Sequence, residues 1–380
     1  MLPLILGSIA LIVGVIALVL AVSVTRRVGA RDPFAVPKFW RRVLRIKPAT
    51  ANVSGAFTID APDKQRVAFV ANPSKESVTE IRERAMRACA IRYLPQPMWF
   101  ETTVDDPGTG QARRAIAAGA DVVIAVGGDG TVRAVAEALA GTDIAMGILP
   151  MGTGNLFARN LDLPINDTSA LMRTALEGVD RPVDVGYMDI ERAFPGHGED
   201  SRHLFLVMAG AGIDAEMVAG ANATLKRRLG WMAYFFAALE HLGDKRMTAT
   251  VRIDDAEPVT NEMRTVLLAN AGRLPGGLQL IPDASISDGL LDIATLDARA
   301  GIVGWTDLFG SVIAQGAGIK QSELLQAWRA SRIDHGRGSS VEIAMASPQR
   351  VQVDGEELGR ASRVKAWLEP GSLRVRVPAT

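Results

Sequence analysis

Apolar residues fall into continuous runs in the first half of the chain and into short, alternating segments in the second. Arg66 to Ala71 is an unbroken apolar strand, closed by the turn signal Asn72-Pro73-Ser74-Lys75. Glu80 to Ile91 has helical spacing, with Ile81, Met86 and Ala90 near one face. Met98 to Thr102 reads as a strand, Gln111 to Ala120 as a helix, and Asp121 to Val126 as the next strand. Val132 to Ala140 is helical, Ile144 to Pro150 is a further strand, and Leu156 to Leu161 a short helix. Strands alternating with helices predict a parallel sheet covered by helices. Ligands in such sheets lie beyond the carboxyl ends of the strands.

The texture changes after Asp180-Arg181-Pro182-Val183-Asp184-Val185-Gly186. Segments 204–208, 248–253, 264–269, 290–295, 340–345, 350–353 and 373–377 read as short strands separated by Gly, Pro and Asp turns. They predict an antiparallel sandwich, interrupted by helices at about 213–242 and 302–317.

A third pattern stands at the start. Leu2 to Val24 carries no charge, and about 20 apolar residues suffice to cross a bilayer. Arg26, Arg27, Arg31, Lys38, Arg41, Arg42, Arg45 and Lys47 follow, against the single acid Asp32. A cleaved signal peptide would have a shorter apolar core preceded by a basic residue. The expectation is therefore a single-pass anchor at 2–24 and a basic juxtamembrane linker at 25–63. The catalytic domains would lie in the cytoplasm of a cell-membrane protein, near an anionic lipid bilayer.

Composition adds exclusions. The chain has 42 basic and 42 acidic residues, so no global field points to nucleic acid. Its one cysteine, Cys89, excludes an internal disulfide and a cysteine metal cluster. The four histidines show no ligand spacing.

Two glycine turns carry the candidate chemistry. Gly127-Gly128-Asp129-Gly130-Thr131 follows one buried strand, and Gly152-Thr153-Gly154-Asn155 follows the next. Glycines let the backbone approach phosphate oxygens, and a helix N-terminus behind them offers free N–H groups. Asp129 can hold or water-bridge a hard cation. Thr153 and Asn155 suit phosphate, ribose or base contacts. A lone glycine turn is commonplace; two at strand-to-helix junctions of one sheet are a stronger signal.

These turns belong to an ordered set. Asn72-Pro73, Gly127 to Thr131, Leu149 to Asn155, Pro282 to Asp292 and Val353-Asp354-Gly355-Glu356 together resemble the diacylglycerol kinase catalytic superfamily, which includes bacterial lipid kinases and sphingosine kinases. The resemblance covers about residues 66 to 378. It implies an α/β ATP-binding domain (64–185), a β-sandwich lipid-binding domain (186–370) and a return strand (371–380) that packs on the first domain, with ATP between the two halves. The expected fold class is thus α/β, a parallel-sheet nucleotide domain plus an antiparallel sandwich, preceded by one transmembrane helix.

The resemblance also implies roles. Asn72, Pro73, Ser74, Lys75, Glu76, Thr102, Gly127, Gly128, Asp129, Gly130, Thr131, Gly152, Thr153, Gly154 and Asn155 would surround the nucleotide. Asp354 would be the catalytic base, supported by Glu356, although Asp-Gly-Glu alone reads as a hairpin turn. Asp288, with the carbonyls of Ser285 and Leu290, would hold a structural Mg²⁺, and Asp184 would stand near the catalytic metal. Two positions depart from the family pattern. Leu156 stands where many relatives have Asp, removing a carboxylate from the metal neighbourhood. Arg133-Ala134 replaces Asn-Glu, a change expected to affect the helix surface more than the chemistry.

The acceptor is the remaining question. Lys226 to Phe236 joins a basic cluster to an aromatic run, which suits a helix at a lipid interface or a packed helix equally. The leading expectation is an ATP- and Mg²⁺-dependent kinase of a membrane lipid, diacylglycerol, with no nucleic-acid partner and with a homodimer left open. Alternatives are a kinase for a sphingoid base or glycolipid, and a non-catalytic nucleotide or lipid sensor. NAD kinase shares the Gly-Gly-Asp-Gly turn but accounts for neither the anchor nor the 226–236 segment.

Overall fold

Three of the four strand runs of the first half are buried on both faces, and the run at Met98–Glu101 is half-buried at the sheet edge. A computed structural model describes residues 64–75, 77–191, 201–212, 246–273, 281, 284–297 and 332–379. Strand β1 (Val67–Ala71) leads through helix α1 (Val78–Ile91) to β2 (Met98–Glu101), then through α2 (Thr109–Ala117) to β3 (Val122–Gly127). Helix α3 (Asp129–Leu139) leads to β4 (Ala145–Pro150), followed by the short α4 (Leu156–Asn160) and α5 (Thr168–Glu177). β1 pairs in parallel with β2 and β3, and β3 with β4. The chain leaves β1 toward β2 and leaves β3 toward β4, in opposite directions across the sheet. The crevice at such a reversal lies over the carboxyl ends of β1 and β3. Asn72 and Gly127-Gly128 stand at those two ends.

The second half is antiparallel. It comprises β5 (Val179–Glu191), β6 (Ser201–Phe205), β7 (Met208–Ala211), β8 (Met247–Ile253), β9 (Val259–Met263) and β10 (Thr265–Ala269). β11 (Leu291–Asp297), β12 (Arg332–Gly338), β13 (Ser340–Val353) and β14 (Glu356–Val377) complete it. The two halves are one hydrogen-bonded sheet, ordered β12-β11-β10-β7-β13-β14-β4-β3-β1-β2. β14 is the hinge of this arrangement. Its first part pairs with β13, its length with β5, and Val375 pairs in parallel with Met146 of β4.

Each half keeps its own core. Phe69, Ile124, Leu139, Leu149 and Phe157 are buried between sheet and helices. Met188, Phe205, Val266, Ile343 and Val353 form the second cluster. Each such side chain contributes about 1.5–3 kcal/mol by leaving water.

Several expectations need correction. The segments 340–345 and 350–353 are one strand, and 373–377 is the tail of the 22-residue β14. Pro370-Gly371 does not end that strand, because a bulge between Glu369 and Leu373 absorbs them, with Gly371 at φ 59. Strands β5, β9 and β12 extend the sandwich beyond the expected set. Helix α3 starts at Asp129 rather than Val132, so Asp129 to Thr131 form its first turn.

The fold class is corrected too. It is an α/β fold with a mixed sheet, parallel strands first and sandwich-like strands after them. Among the described residues no helix is long and apolar enough to cross a membrane, and the preceding transmembrane helix is withdrawn from the fold. The expected anchor at 2–24, the linker at 25–63, Glu76, the helices at about 213–242 and 302–317, and the 226–236 segment lie outside the described residues.

Candidate active site

Asp354 sits where its local sequence demands a tight turn. Val353 pairs with Glu356, leaving Asp354 (φ 44) and Gly355 (φ 83) as a two-residue hairpin with both residues left-handed. Asp-Gly is suited to that type I′ geometry. The hairpin reading of Asp-Gly-Glu therefore holds, and the turn also presents the carboxylate to the first half. Oδ2 accepts from the Leu206 N–H at 2.8 Å, and Oδ1 accepts from Val207 at 2.9 Å and Met208 at 3.0 Å. Burial pushes the Asp354 carboxyl above its ordinary value, opposed by these backbone donors and by the Arg133 charge.

The same cleft receives the other half. Asp129, Leu156, Phe157, Leu206, Val207 and Asp354 line one narrow space. The late acid thus shares this space with Asp129 of the first glycine turn. Leu156, at 1% exposure, places an aliphatic wall beside both carboxylates where the family pattern would have a third acid.

The glycine loops hold one another. A Cβ on Gly152 would lie 3.0 Å from the Gly128 Cα, so the backbones meet at a distance only glycine permits. Asp129 ties them together: its oxygens accept from Asn155 N at 2.9 Å and Leu156 N at 2.7 Å. Burial also raises the Asp129 carboxyl, with the two N–H groups pulling the other way. Asn155 (φ 46) closes its own loop, accepting from Gly152 N at 2.9 Å and donating to Gly152 O at 2.8 Å. Its amide is thus engaged within the turn rather than held out for a ligand.

The remaining nucleotide candidates are spread along the strand ends. Asn72 Oδ1 accepts from Ser74 N at 3.0 Å and Ser74 Oγ at 2.7 Å, building an Asx turn through Pro73. The Asn72 N–H donates to Val126 O at 2.9 Å, joining this turn to the end of β3. Lys75 N closes back on Asn72 O. Thr102 is buried, its N–H on Ala71 O, whereas Thr103 is exposed. Thr131 is buried beneath Gly127, and Gly130 is exposed on the first turn of α3. Thr153 is exposed, and with Gly152 and Asn155 it borders a polar hollow of about 480 Å³ that also takes in Arg84 and Arg159.

The metal expectations divide. Asp184 is buried, and both oxygens serve its own chain, accepting from Gly289 N at 2.7 Å and Gly371 N at 2.8 Å. Asp288 accepts from Leu290 N at 3.1 Å and pairs with Arg337 Nη2 at 2.5 Å. Arg337 Nε also reaches Asp292 at 3.0 Å, where His335 Nε2 stands at 2.9 Å. The turn from Ser285 to Leu290 therefore places the Arg337 guanidinium at the carboxylate that the resemblance assigns to Mg²⁺. Asp129 is distinguished by place rather than by hydrogen bonding: it borders the space shared with Asp354, and a carboxylate there suits a hard cation.

Three features had no residue-type signal. Backbone donors at 206–208 cradle Asp354. Buried Asn270 donates to Asp184 O at 3.0 Å and Leu206 O at 2.8 Å, tying the cradle to β5. Arg133, expected to affect the helix surface more than the chemistry, reaches across to pair with Glu356.

Comparison with known proteins agrees with this arrangement. Residues 66–188 match the diacylglycerol kinase catalytic domain family, and 207–377 match the YegS C-terminal NAD kinase beta sandwich-like domain. A "probable lipid kinase YegS-like" of Pseudomonas aeruginosa is 31% identical over 324 residues, covering 83% of this chain and 96% of that protein. The Pseudomonas putida protein of the same description is 31% identical, over 70% of this chain and 80% of its own. A diacylglycerol kinase crystal structure from Bacillus anthracis shares the fold at TM-score 0.63 and 21% identity, covering 83% of this chain and 97% of that one. Among the described residues no helix is long and apolar enough to cross a membrane, and the expected single-pass location in the cell membrane is not carried further. The chain belongs to the diacylglycerol kinase and YegS family of lipid kinases.

Proposed function

We propose that the protein transfers the γ-phosphoryl group of ATP to the hydroxyl of diacylglycerol, giving phosphatidic acid and ADP, with Asp354 as base. The observation that carries this reading is that Asp354 and Asp129 border one narrow space of about 10 Å³, room for about one water. The family description and the Bacillus anthracis likeness support diacylglycerol as acceptor.

The chemistry follows from the hydrogen bonds. Asp354 Oδ1 accepts two backbone N–H groups and Oδ2 only one. Oδ2 keeps a lone pair, so it is the atom that takes the proton from the acceptor hydroxyl. The hydroxyl oxygen forms a bond to the γ-phosphorus while the bond to the bridging oxygen breaks and ADP leaves. Burial makes this carboxylate a better base than an exposed one. Backbone N–H groups at the first turn of α3 would supply fixed dipoles for the phosphate charge. Asp129 would hold Mg²⁺ brought with the nucleotide, and the ion would supply charge neutralisation at the β- and γ-phosphates. Asn72 to Lys75, Thr102, Thr131 and Thr153 would line the nucleotide.

The test is phosphoryl transfer from labelled ATP by purified protein in mixed micelles. Diacylglycerol should be labelled, and Asp354→Asn should lower turnover about 10²–10⁴-fold. Labelling of a sphingoid base or glycolipid instead would move the acceptor. Nucleotide binding without turnover on any lipid would favour a sensor.

A further inference from the structure

Arg133 stands four residues beyond Asp129 on α3, so its backbone is rigidly joined to the first glycine turn. Its side chain leaves the nucleotide half. The guanidinium pairs with Glu356, two residues past Asp354, and Nη1 donates to Leu204 O at 3.4 Å. Leu204 precedes by two residues the N–H cradle of Asp354, which begins at Leu206. One cation therefore touches the chain on both flanks of the catalytic carboxylate. Its side chain is 17% exposed, whereas Glu356 is 58% exposed. Solvent reaches the Glu356 end and screens the pair, so its part in stability is modest and its place is suited to setting geometry.

We propose that Arg133 is a positioning residue that couples the helix behind the nucleotide turn to the Asp354 hairpin, acting through Glu356 and the Leu204 carbonyl. It rests on the kinase reading above. The planar guanidinium can engage a carboxylate and a carbonyl together, which a lysine ammonium does with less geometric control. A rigid link from Asp129 to the hairpin keeps the distance between the terminal phosphate and Asp354 constant. A displacement of about 1 Å in such a distance can cost about 100-fold in rate.

The kinetic test is a double-mutant cycle with Arg133→Gln, Glu356→Gln and the pair, each checked for an unchanged melting profile. Arg133→Gln should lower kcat about 10- to 100-fold, with KM for ATP within about twofold of wild type. The same substitution in the Glu356→Gln background should cost much less, because the partner is already gone. Arg133→Lys should recover part of kcat. Additive losses, an unchanged kcat, or a raised KM at constant kcat would overturn the proposal.

A second readout needs no turnover. Carboxyl NMR of the resting protein follows the Asp354 titration, which is faced by Asp129 and Arg133 from α3 and by Glu356 from its own hairpin. Arg133→Gln should move that titration upward, as loss of a nearby positive charge requires. An unmoved titration would overturn the coupling. A wild type inactive on every lipid would sink the kinase reading alone, and the titration would still show whether the Arg133 charge reaches Asp354.

Discussion

Replacing Asp129 by Asn probes the contact that holds the two glycine turns in register. The carboxylate accepts one backbone N–H on each oxygen, from Asn155 at 2.9 Å and Leu156 at 2.7 Å. The amide retains one acceptor and turns its NH₂ toward the other N–H. One donor is left without a partner in a partly buried place, at a cost of about 1–3 kcal/mol. Relief of a carboxylate whose burial disfavours its charge offsets part of this. The net expectation is a loss of about 1–2 kcal/mol, a factor of roughly 5–30 in the folded-to-unfolded ratio.

The pH dependence has a defined sign. The folded carboxyl of Asp129 lies above its ordinary value of 3.8, so the folded state binds more protons in the interval between the two values. This group's contribution to stability is greatest below 3.8 and declines as pH rises through the folded value. Asn does not titrate, so the stability difference between wild type and variant should shrink across that interval. Urea unfolding at a series of pH values measures it, and a KM titration for ATP should show weaker nucleotide binding as the turns separate. Equal stability at every pH with unchanged KM would refute the clamp.

Other outcomes follow from the same geometry. Gly152→Ala puts a Cβ 2.8 Å from Asn155 Oδ1 and 3.0 Å from the Gly128 Cα, so the turns must part; unfolding should show a loss of about 1–3 kcal/mol and KM for ATP should rise. Asp184→Asn orphans the N–H of either Gly289 or Gly371, lowering stability by about 1–3 kcal/mol. The Mg²⁺ concentration for half-maximal activity should not change, and a large change would make Asp184 a metal partner instead. Leu156→Asp introduces a third acid beside Asp129 and Asp354, so the acid limb of kcat/KM should move to higher pH as like charges raise Asp354 further. Activation at low Mg²⁺ in that variant would mean that the aliphatic wall had displaced a metal ligand.

The parallel half was legible because its inner strands are buried on both faces and so read as unbroken apolar runs, as in Val122 to Val126. The glycine turns were legible because strand, turn and helix follow one another in the chain. The long strand β14 was not. Its exposed face is charged, and Pro370-Gly371 imitates a strand end, while pairing with β5 and the bulge carry it through. Site residues were legible as types rather than as partnerships. Asp184, Asn155 and Asp288 read as ligand groups in a linear sequence, and the structure adds partners the sequence did not show, backbone N–H groups for all three and Arg337 for Asp288. The cradle at 206–208 is made of backbone and leaves no signature in side-chain identity. Arg133 was misjudged because its partner is more than two hundred residues away in the chain.

A crystal structure with Mg²⁺ and a non-hydrolysable ATP analogue tests the central claim most directly. The terminal phosphate should lie in the cleft between Asp129 and Asp354, with room for one hydroxyl in hydrogen-bond reach of Asp354 Oδ2, about 2.6–3.2 Å. A terminal phosphate seated instead in the Arg84 and Arg159 hollow, which Asp354 does not border, would contradict the account.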